Sequence, residues 1–266
     1  MDFLQNVMLE RKADVDSARG LVPQSQLERI AAVRVHHSLS DRLRIGPRPA
    51  IIAEMKKASP SAGLLRRTYE PEKTAELYEK SGAAAISILT EPRHFLGSDE
   101  HVRLVRRLVA IPVLRKDFIC DPYQVYETAA MGADIILLIV AALGGRQLME
   151  LNEAARECRL DVLVESHTRE EVEIALGVEN AIIGINSRNL KTLKTDTRVA
   201  LELVRSIPEG RLAVSESGIK TRRDIEAMQE AGFDGFLVGE SLMSSDRPQD
   251  KLRELIGTSP RIGEMS

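Results

Sequence analysis

Between residues 50 and 238 the chain alternates between short β-branched apolar runs and charged amphipathic stretches. The runs fall near 51–55, 84–89, 112–116, 134–139, 160–165, 181–185, 211–215 and 234–238. Segments such as PEKTAELYEKSG, SDEHVRLVRRLV, DPYQVYETAAMG and TRRDIEAMQEAG lie between them and carry helical periodicity. Strands that each lead into a helix predict parallel βα units. Gly82, Gly132 and Gly232, in the turns SGA, MGA and AGF, stand where the preceding helices should stop. Asp121 and Pro122 read as the N-cap and first position of another helix. A doubly wound sheet is the alternative arrangement, but the chain has neither GxGxxG nor GxxxxGK[ST]. The pattern therefore predicts an α/β fold, a (β/α)8 TIM barrel.

Residues 1–49 follow a different pattern. Helical spacing links Phe3, Leu4, Val7 and Met8, then Leu27, Ile30, Ala31 and Val33, and the segment ends in the turn-rich IGPRP. This predicts one or two helices appended before the barrel. The expected division is an N-terminal helical extension over 1–49, a barrel over 50–257 and a short tail over 258–266, all within one domain. The 266 residues suit such a barrel, whose usual length is about 250.

Five of the apolar runs end in polar side chains. Glu54 and Lys56 close IIAEMK, Lys116 closes PVLRK, Glu165 closes DVLVE, Asn186 closes AIIGIN and Glu216 closes RLAVSE. A charge at the end of a buried strand is costly without a partner or a ligand. The carboxyl ends of the strands are also where a (β/α)8 barrel builds its active site, so the pattern reads as an enzyme. Glu54 and Lys56 are two apart and share a side of the strand; they form either part of a cavity or a structural ion pair. The KASPSAG segment behind them suggests a loop over the mouth. Lys116 has Leu114 and Phe118 on its face, which suits a general acid or a Schiff-base nucleophile. Glu165 ends a wholly apolar strand, so burial is expected to raise its pKa towards general acid–base range. His167, two residues further on, could share the site, though such a histidine is more often a loop residue. Asn186 and Arg188 share a face, and arginine suits a carboxylate or phosphate. Gly218 and Gly239 follow the seventh and eighth strands, where barrels often hold a phosphate, though each alone could be an ordinary turn.

Composition narrows the class. The net charge is −3, with Lys and Arg spread along the chain, which gives no nucleic-acid footprint. Cys120 and Cys158 have no CxxC spacing, and the five histidines show no metal-ligand spacing, so neither a zinc site nor a disulfide framework is expected. The first twenty residues mix acids and bases, unlike a signal peptide, and no run of about 20 apolar residues follows. A cytoplasmic protein is expected.

The motifs IIAEMKKASPSAG, ILTEPRHFLGS, PVLRKDFI, LVESHT, IGINSRNLKTL, VSESGI and FLVGESLM occur in that order. Together they resemble those of the indole-3-glycerol-phosphate synthases, (β/α)8 enzymes of tryptophan biosynthesis, over almost the whole chain. The resemblance implies decarboxylative and dehydrative ring closure of 1-(2-carboxyphenylamino)-1-deoxyribulose 5-phosphate, with no metal or cofactor. It implies Lys116 as general acid and Glu165 as general base, with Glu54 and Asn186 orienting them and Glu216 at a further catalytic position. Lys56 and Arg188 would hold the substrate's carboxylate and phosphate. Ser59, with Ser217, Gly218, Gly239 and Glu240 of the phosphate cradle, would bind substrate, while Phe95 and Phe118 would grip the anthranilate ring. A monomer acting on a small phosphorylated substrate is implied. Two residues depart from the pattern. Glu240 stands where serine is often found, and its side chain is expected to turn away while its backbone N–H still donates, with Ser241 contributing. Ala58 stands where another basic residue is common. The rivals are a phosphate-binding sugar isomerase barrel such as phosphoribosylanthranilate isomerase, a Schiff-base aldolase, and a barrel that binds a phosphorylated metabolite without turning it over.

Overall fold

The structure is a computed structural model that describes residues 3–66, 68–190 and 192–258. Eight parallel strands close into a barrel: β1 (Ala50–Met55), β2 (Ala85–Leu89), β3 (Val113–Lys116), β4 (Ile135–Ile139), β5 (Asp161–Ser166), β6 (Ile182–Asn186), β7 (Ala213–Glu216) and β8 (Gly235–Val238). Each pairs with its sequence neighbours, and β1 closes the ring against β8. The apolar runs are buried on both faces because side chains alternate between the barrel interior and the helix layer. Ile52, Leu114, Ile135, Leu137, Leu163, Ile182, Val214 and Leu237 share the interior cluster. Ile51, Met55, Ile86, Ile88 and Phe236 instead pack with residues such as Tyr78 and Val105 from the helices outside.

The turns behave as expected. Gly82, Gly132 and Gly232 have φ of 96°, 92° and 111°, the left-handed conformation that ends a helix without a Cβ penalty. Asp121 accepts from the Tyr123 N–H at 2.8 Å, ahead of the helix Pro122–Ala130.

The extension holds three helices rather than one or two: α1 (Phe3–Leu21), α2 (Gln24–Ala32) and α3 (Leu39–Ile45). Helix α3 is short, and its signal is a cap: the Ser38 hydroxyl accepts from the Asp41 N–H at 3.1 Å. Leu39 and Leu43 join the barrel-interior cluster. A Cβ on Gly235, at the start of β8, would come within 2.6 Å of Leu43, so α3 packs tightly against the amino-terminal end of the barrel. Val33 lies beyond α2 and is 84% exposed, so Leu27 and Ala31 carry that helix's packing without it. Most of the expected tail, 259–266, lies outside the described residues. No helix among the described residues is long and apolar enough to cross a membrane.

Helix α1 is tied to the carboxyl end of β3 by charge. Arg11 donates to Asp117 at 2.8 Å, and the fully buried Arg115 meets Glu127 at 2.8 Å, Asp99 at 3.0 Å and Asp117 at 3.3 Å. Arg115 points outward into this network. Lys116, the next residue, therefore points inward.

Candidate active site

A cavity of about 660 Å³ opens at the carboxyl ends of the strands. Glu54 and Lys56 reach it from β1, Lys116 from β3, Glu165 from β5, Asn186 from β6 and Glu216 from β7. The strand register brings the last pair together, since Asn186 lies opposite Glu216. Ser59, Phe95, Phe118, Arg188, Ser217, Gly218, Gly239 and Glu240 line the same space. The KASPSAG segment forms a small hairpin, Ala58–Ser59 against Gly63–Leu64, at the mouth.

Lys116 bridges two carboxylates. Its Nζ donates to Glu165 Oε2 at 2.9 Å and to Glu216 Oε2 at 3.2 Å. Burial alone would push the ammonium's pKa down, but Glu165, Glu216 and Glu54 outweigh it and hold the pKa above the ordinary lysine value. Burial likewise pushes Glu165 up. Lys116 on one oxygen and His167 on the other more than reverse this, so the carboxyl is held well below the usual range. The expectation of a raised Glu165 is thus corrected. The raised carboxyl is Glu216: burial pushes it up to about 8, Glu165 adds to the effect and Lys116 only partly offsets it. Two glutamates a few ångströms apart are therefore set to opposite protonation states, the usual mark of an acid–base site.

One wall is apolar. Phe95 and Phe118 lie with ring centroids 6.2 Å apart, and Phe3 meets Phe118 edge-on at 6.3 Å. Phe3 was missed in the sequence because its helical spacing marks it as ordinary core. Lys56 donates to Glu54 at 2.5 Å, so the β1 pair is both an ion pair and part of the cavity lining.

A family model described as indole-3-glycerol phosphate synthase matches residues 4–255. The chain belongs to the indole-3-glycerol phosphate synthase family. A relative of that name from Carboxydothermus hydrogenoformans is 42% identical, covering 96% of this chain and 99% of the relative. One from Legionella pneumophila strain Paris is 45% identical over 80% and 83% of the two chains. One from Acinetobacter baumannii strain ACICU is 48% identical over 79% of each. Among solved structures, thiamine phosphate pyrophosphorylase from Pyrococcus furiosus superposes with a TM-score of 0.59 at 18% identity, covering 77% of this chain and 93% of its own. A chain of the tryptophan synthase complex from the same organism gives 0.58 at 15%, covering 78% and 97%. Both share the fold alone.

Within this family frame, the segments after β7 and β8 are built around close approaches. Ser217 and Gly218 are consecutive left-handed residues, with φ of 66° and 84°. A Cβ on Gly218 would fall 2.6 Å from Thr197 and 2.9 Å from Thr195. A Cβ on Gly239 would fall 2.1 Å from Glu54 Oε1. Gly218 is required by its left-handed backbone and its close neighbours, whereas at Gly239 what a Cβ would meet is the Glu54 side chain. Glu240 does not turn away: its carboxylate accepts from Arg188 at 3.0 Å, while Arg188 also donates to the Leu193 carbonyl at 3.1 Å. The Ser241 hydroxyl donates to the Ile219 carbonyl at 3.0 Å. His167, read from the sequence as more often a loop residue, is half-buried beside Glu165, with Nε2 3.3 Å from Oε1. Its other neighbour, four residues on across the turn, is Glu171, whose Oε2 lies 3.2 Å from Nδ1.

Proposed function

We propose that this cavity closes the indole ring of 1-(2-carboxyphenylamino)-1-deoxyribulose 5-phosphate, releasing carbon dioxide and water to give indole-3-glycerol phosphate. The observation that carries the reading is Lys116, a charged ammonium inside an apolar-walled cavity, bridging one ionised and one protonated glutamate. Lys116 protonates the ribulose carbonyl oxygen as the carboxyl-bearing ring carbon attacks the carbonyl carbon. The iminium so formed takes up the electron pair when carbon dioxide leaves, which restores the aromatic ring. The new hydroxyl then departs as water while Glu165 removes a proton from the carbon beside the nitrogen. Starting from the carboxylate, two protons go to oxygen and one leaves carbon, so each turnover takes up one proton. Glu216, protonated up to about pH 8, is a second proton source beside Lys116. Glu54 and Asn186 orient these groups, and Phe95 and Phe118 grip the anthranilate ring.

Lys56 and Arg188 meet the substrate's carboxylate and phosphate, with Ser59, Ser217, Gly218, Gly239 and the Glu240 backbone completing the binding surface. A Schiff-base lysine must be neutral to attack. Lys116 is held as a cation chiefly by the ionised Glu165, which favours the acid role over the aldolase alternative. The reading includes a monomer, active in the cytoplasm, with no nucleic-acid partner.

The chain has no tryptophan, so indole emission from the product rises from a nearly dark background. Emission should grow with added enzyme, and Lys116→Ala and Glu165→Gln should each lower turnover about 10²–10⁴-fold while leaving far-UV circular dichroism unchanged. Full activity in either variant would overturn that residue's role. Substrate that binds without any emission from the parent protein would make this a binding barrel.

A further inference from the structure

We propose that His167 is a positioning residue, an imidazolium clamped between Glu165 and Glu171 that fixes the base carboxylate and stays its counter-charge when Lys116 gives up its proton. The inference rests on the reading of Glu165 as base.

The surroundings of the ring favour its protonated form. His167 Nδ1 is 3.2 Å from Glu171 Oε2, and Nε2 is 3.3 Å from Glu165 Oε1. Only the Nδ1 contact has hydrogen-bond geometry; Nε2 is buried without a hydrogen-bond partner, within ion-pair reach of Glu165. Two ionised carboxylates that close favour the ring that carries a proton on both nitrogens. Glu171 is itself fixed. It lies in the first turn of the helix Arg169–Leu176, where its carboxylate accepts from the His167 backbone N–H at 2.7 Å and its own N–H donates to Thr168 Oγ1 at 3.3 Å. A helix N-terminus favours the anion at that position. The titratable groups facing the ring are thus Glu165 on its own strand and Glu171 on the following helix, with Lys116 beyond Glu165. Burial pushes the imidazole down, but the two glutamates outweigh it and bring it up to about 10.

The consequence concerns the moment after acid transfer. Glu165 Oε2 accepts from Lys116, while Oε1 lies 3.3 Å from His167 Nε2, an ion-pair distance without hydrogen-bond geometry, so each oxygen faces a different cation. His167 lies outside the cavity lining, whereas Lys116 lies within it. When Lys116 becomes neutral, a Glu165 without His167 would be a buried, uncompensated anion beside Glu216, and the pair would share a proton as paired carboxyls do. With His167 in place, Glu165 stays ionised and aimed, and the Oε2 facing Lys116 is free to accept the substrate proton.

The test has two arms in the full-length protein. In ligand-free protein with ring-¹⁵N histidine, the His167 nitrogens should report imidazolium beyond pH 8, and in Glu165→Gln the titration should fall back towards the ordinary histidine range. A His167 ring that is neutral at pH 7.5 in the parent overturns the proposal. In the kinetic arm, His167→Ala should lower kcat about tenfold or more with KM within about twofold, because a misaligned base slows chemistry without touching the binding surface. The acid limb of the kcat–pH profile should move up by about one unit, since Glu165 loses a counter-charge and its pKa rises. His167→Gln restores a donor without the charge. It should recover part of kcat while keeping the displaced limb, and it serves should the alanine variant not fold. An unmoved limb and unchanged kcat in His167→Gln reject the role even if Glu165→Gln is inactive. An active Glu165→Gln would instead reject the base assignment, leaving the ring titration to report on the clamp alone.

Discussion

Glu216→Gln should make the protein more stable at alkaline pH and much less active. The side chain is 1% exposed, and its carboxyl is pushed up to about 8 from an ordinary 4.5. Below pH 4.5 the group is protonated in folded and unfolded chains alike and adds no pH dependence. Between 4.5 and about 8 the unfolded chain gives up a proton that the folded chain keeps, so stability falls as pH rises. Above about 8 the whole loss is in place. A pKa gap of 8 − 4.5 = 3.5, at about 1.4 kcal/mol per unit, sets a ceiling of roughly 5 kcal/mol. Relaxation and water at the open mouth reduce this, and we expect about 2–3 kcal/mol, a large share of a typical domain's stability. Glutamine imitates the protonated form and removes this group's share of the pH dependence. Urea unfolding followed by circular dichroism should give equal midpoints for parent and variant near pH 4.5 and a higher midpoint for the variant near pH 8.5. Turnover should fall about 10²-fold, because an amide has no proton to give. A stability difference that does not change with pH, or a variant less stable than the parent near pH 8.5, would refute the account of Glu216.

Two further substitutions probe the phosphate end. Glu240→Gln removes a carboxylate that competes with the substrate's anions for Arg188; the pair is half exposed and worth under about 1 kcal/mol, so KM should fall about two- to fourfold with kcat unchanged. A rise in KM would show that Glu240 instead holds Arg188 in its productive position. Gly239→Ala places a Cβ 2.1 Å from Glu54 Oε1 where ordinary contact begins at 3.4 Å, so Glu54 must move by roughly 3.4 − 2.1 = 1.3 Å. Misplacement on that scale should lower kcat/KM about 10²-fold. Because φ at Gly239 is −123°, the change adds no left-handed strain, and the melting temperature should stay near the parent's. Parental kcat/KM would show that the Glu54–Lys56 pair tolerates displacement.

The barrel was legible because parallel strands buried on both faces leave continuous apolar runs, and because charges such as Lys116 and Glu165 interrupt the pattern only at the strand ends. Helix α3 was not legible: seven residues with Leu39 and Leu43 as their buried anchors give too short a period, and Ser38 alone looks like any loop serine. The direction of the Glu165 pKa was misread for a different reason. Its own strand is apolar and predicts a raised value, but the cation that lowers it lies 49 residues away on β3. His167 was set aside for yet another reason: its partners Glu165 and Glu171 are only two and four residues away, but a histidine just past a strand end is more often an ordinary loop residue. Glu240 was read against a phosphate alone, whereas the fold also offers it Arg188, 52 residues earlier. Local sequence specifies which groups reach the cavity, and long-range pairing specifies the charge each one carries.

One residue shows how backbone geometry enforces that pairing. Gly184 interrupts the apolar strand AIIGIN, and glycine in a strand costs about 0.5–1 kcal/mol relative to alanine. In the barrel Gly184 pairs with Glu165 on one side and with Val214 on the other. A Cβ there would fall 2.4 Å from Glu216 Oε1, so glycine opens the space that this carboxyl occupies. That oxygen is buried without a hydrogen-bond partner, while its twin meets Lys116. An ionised carboxylate is disfavoured in such a place and a protonated one is tolerated. The missing side chain on β6 therefore helps keep Glu216 protonated beside an ionised Glu165.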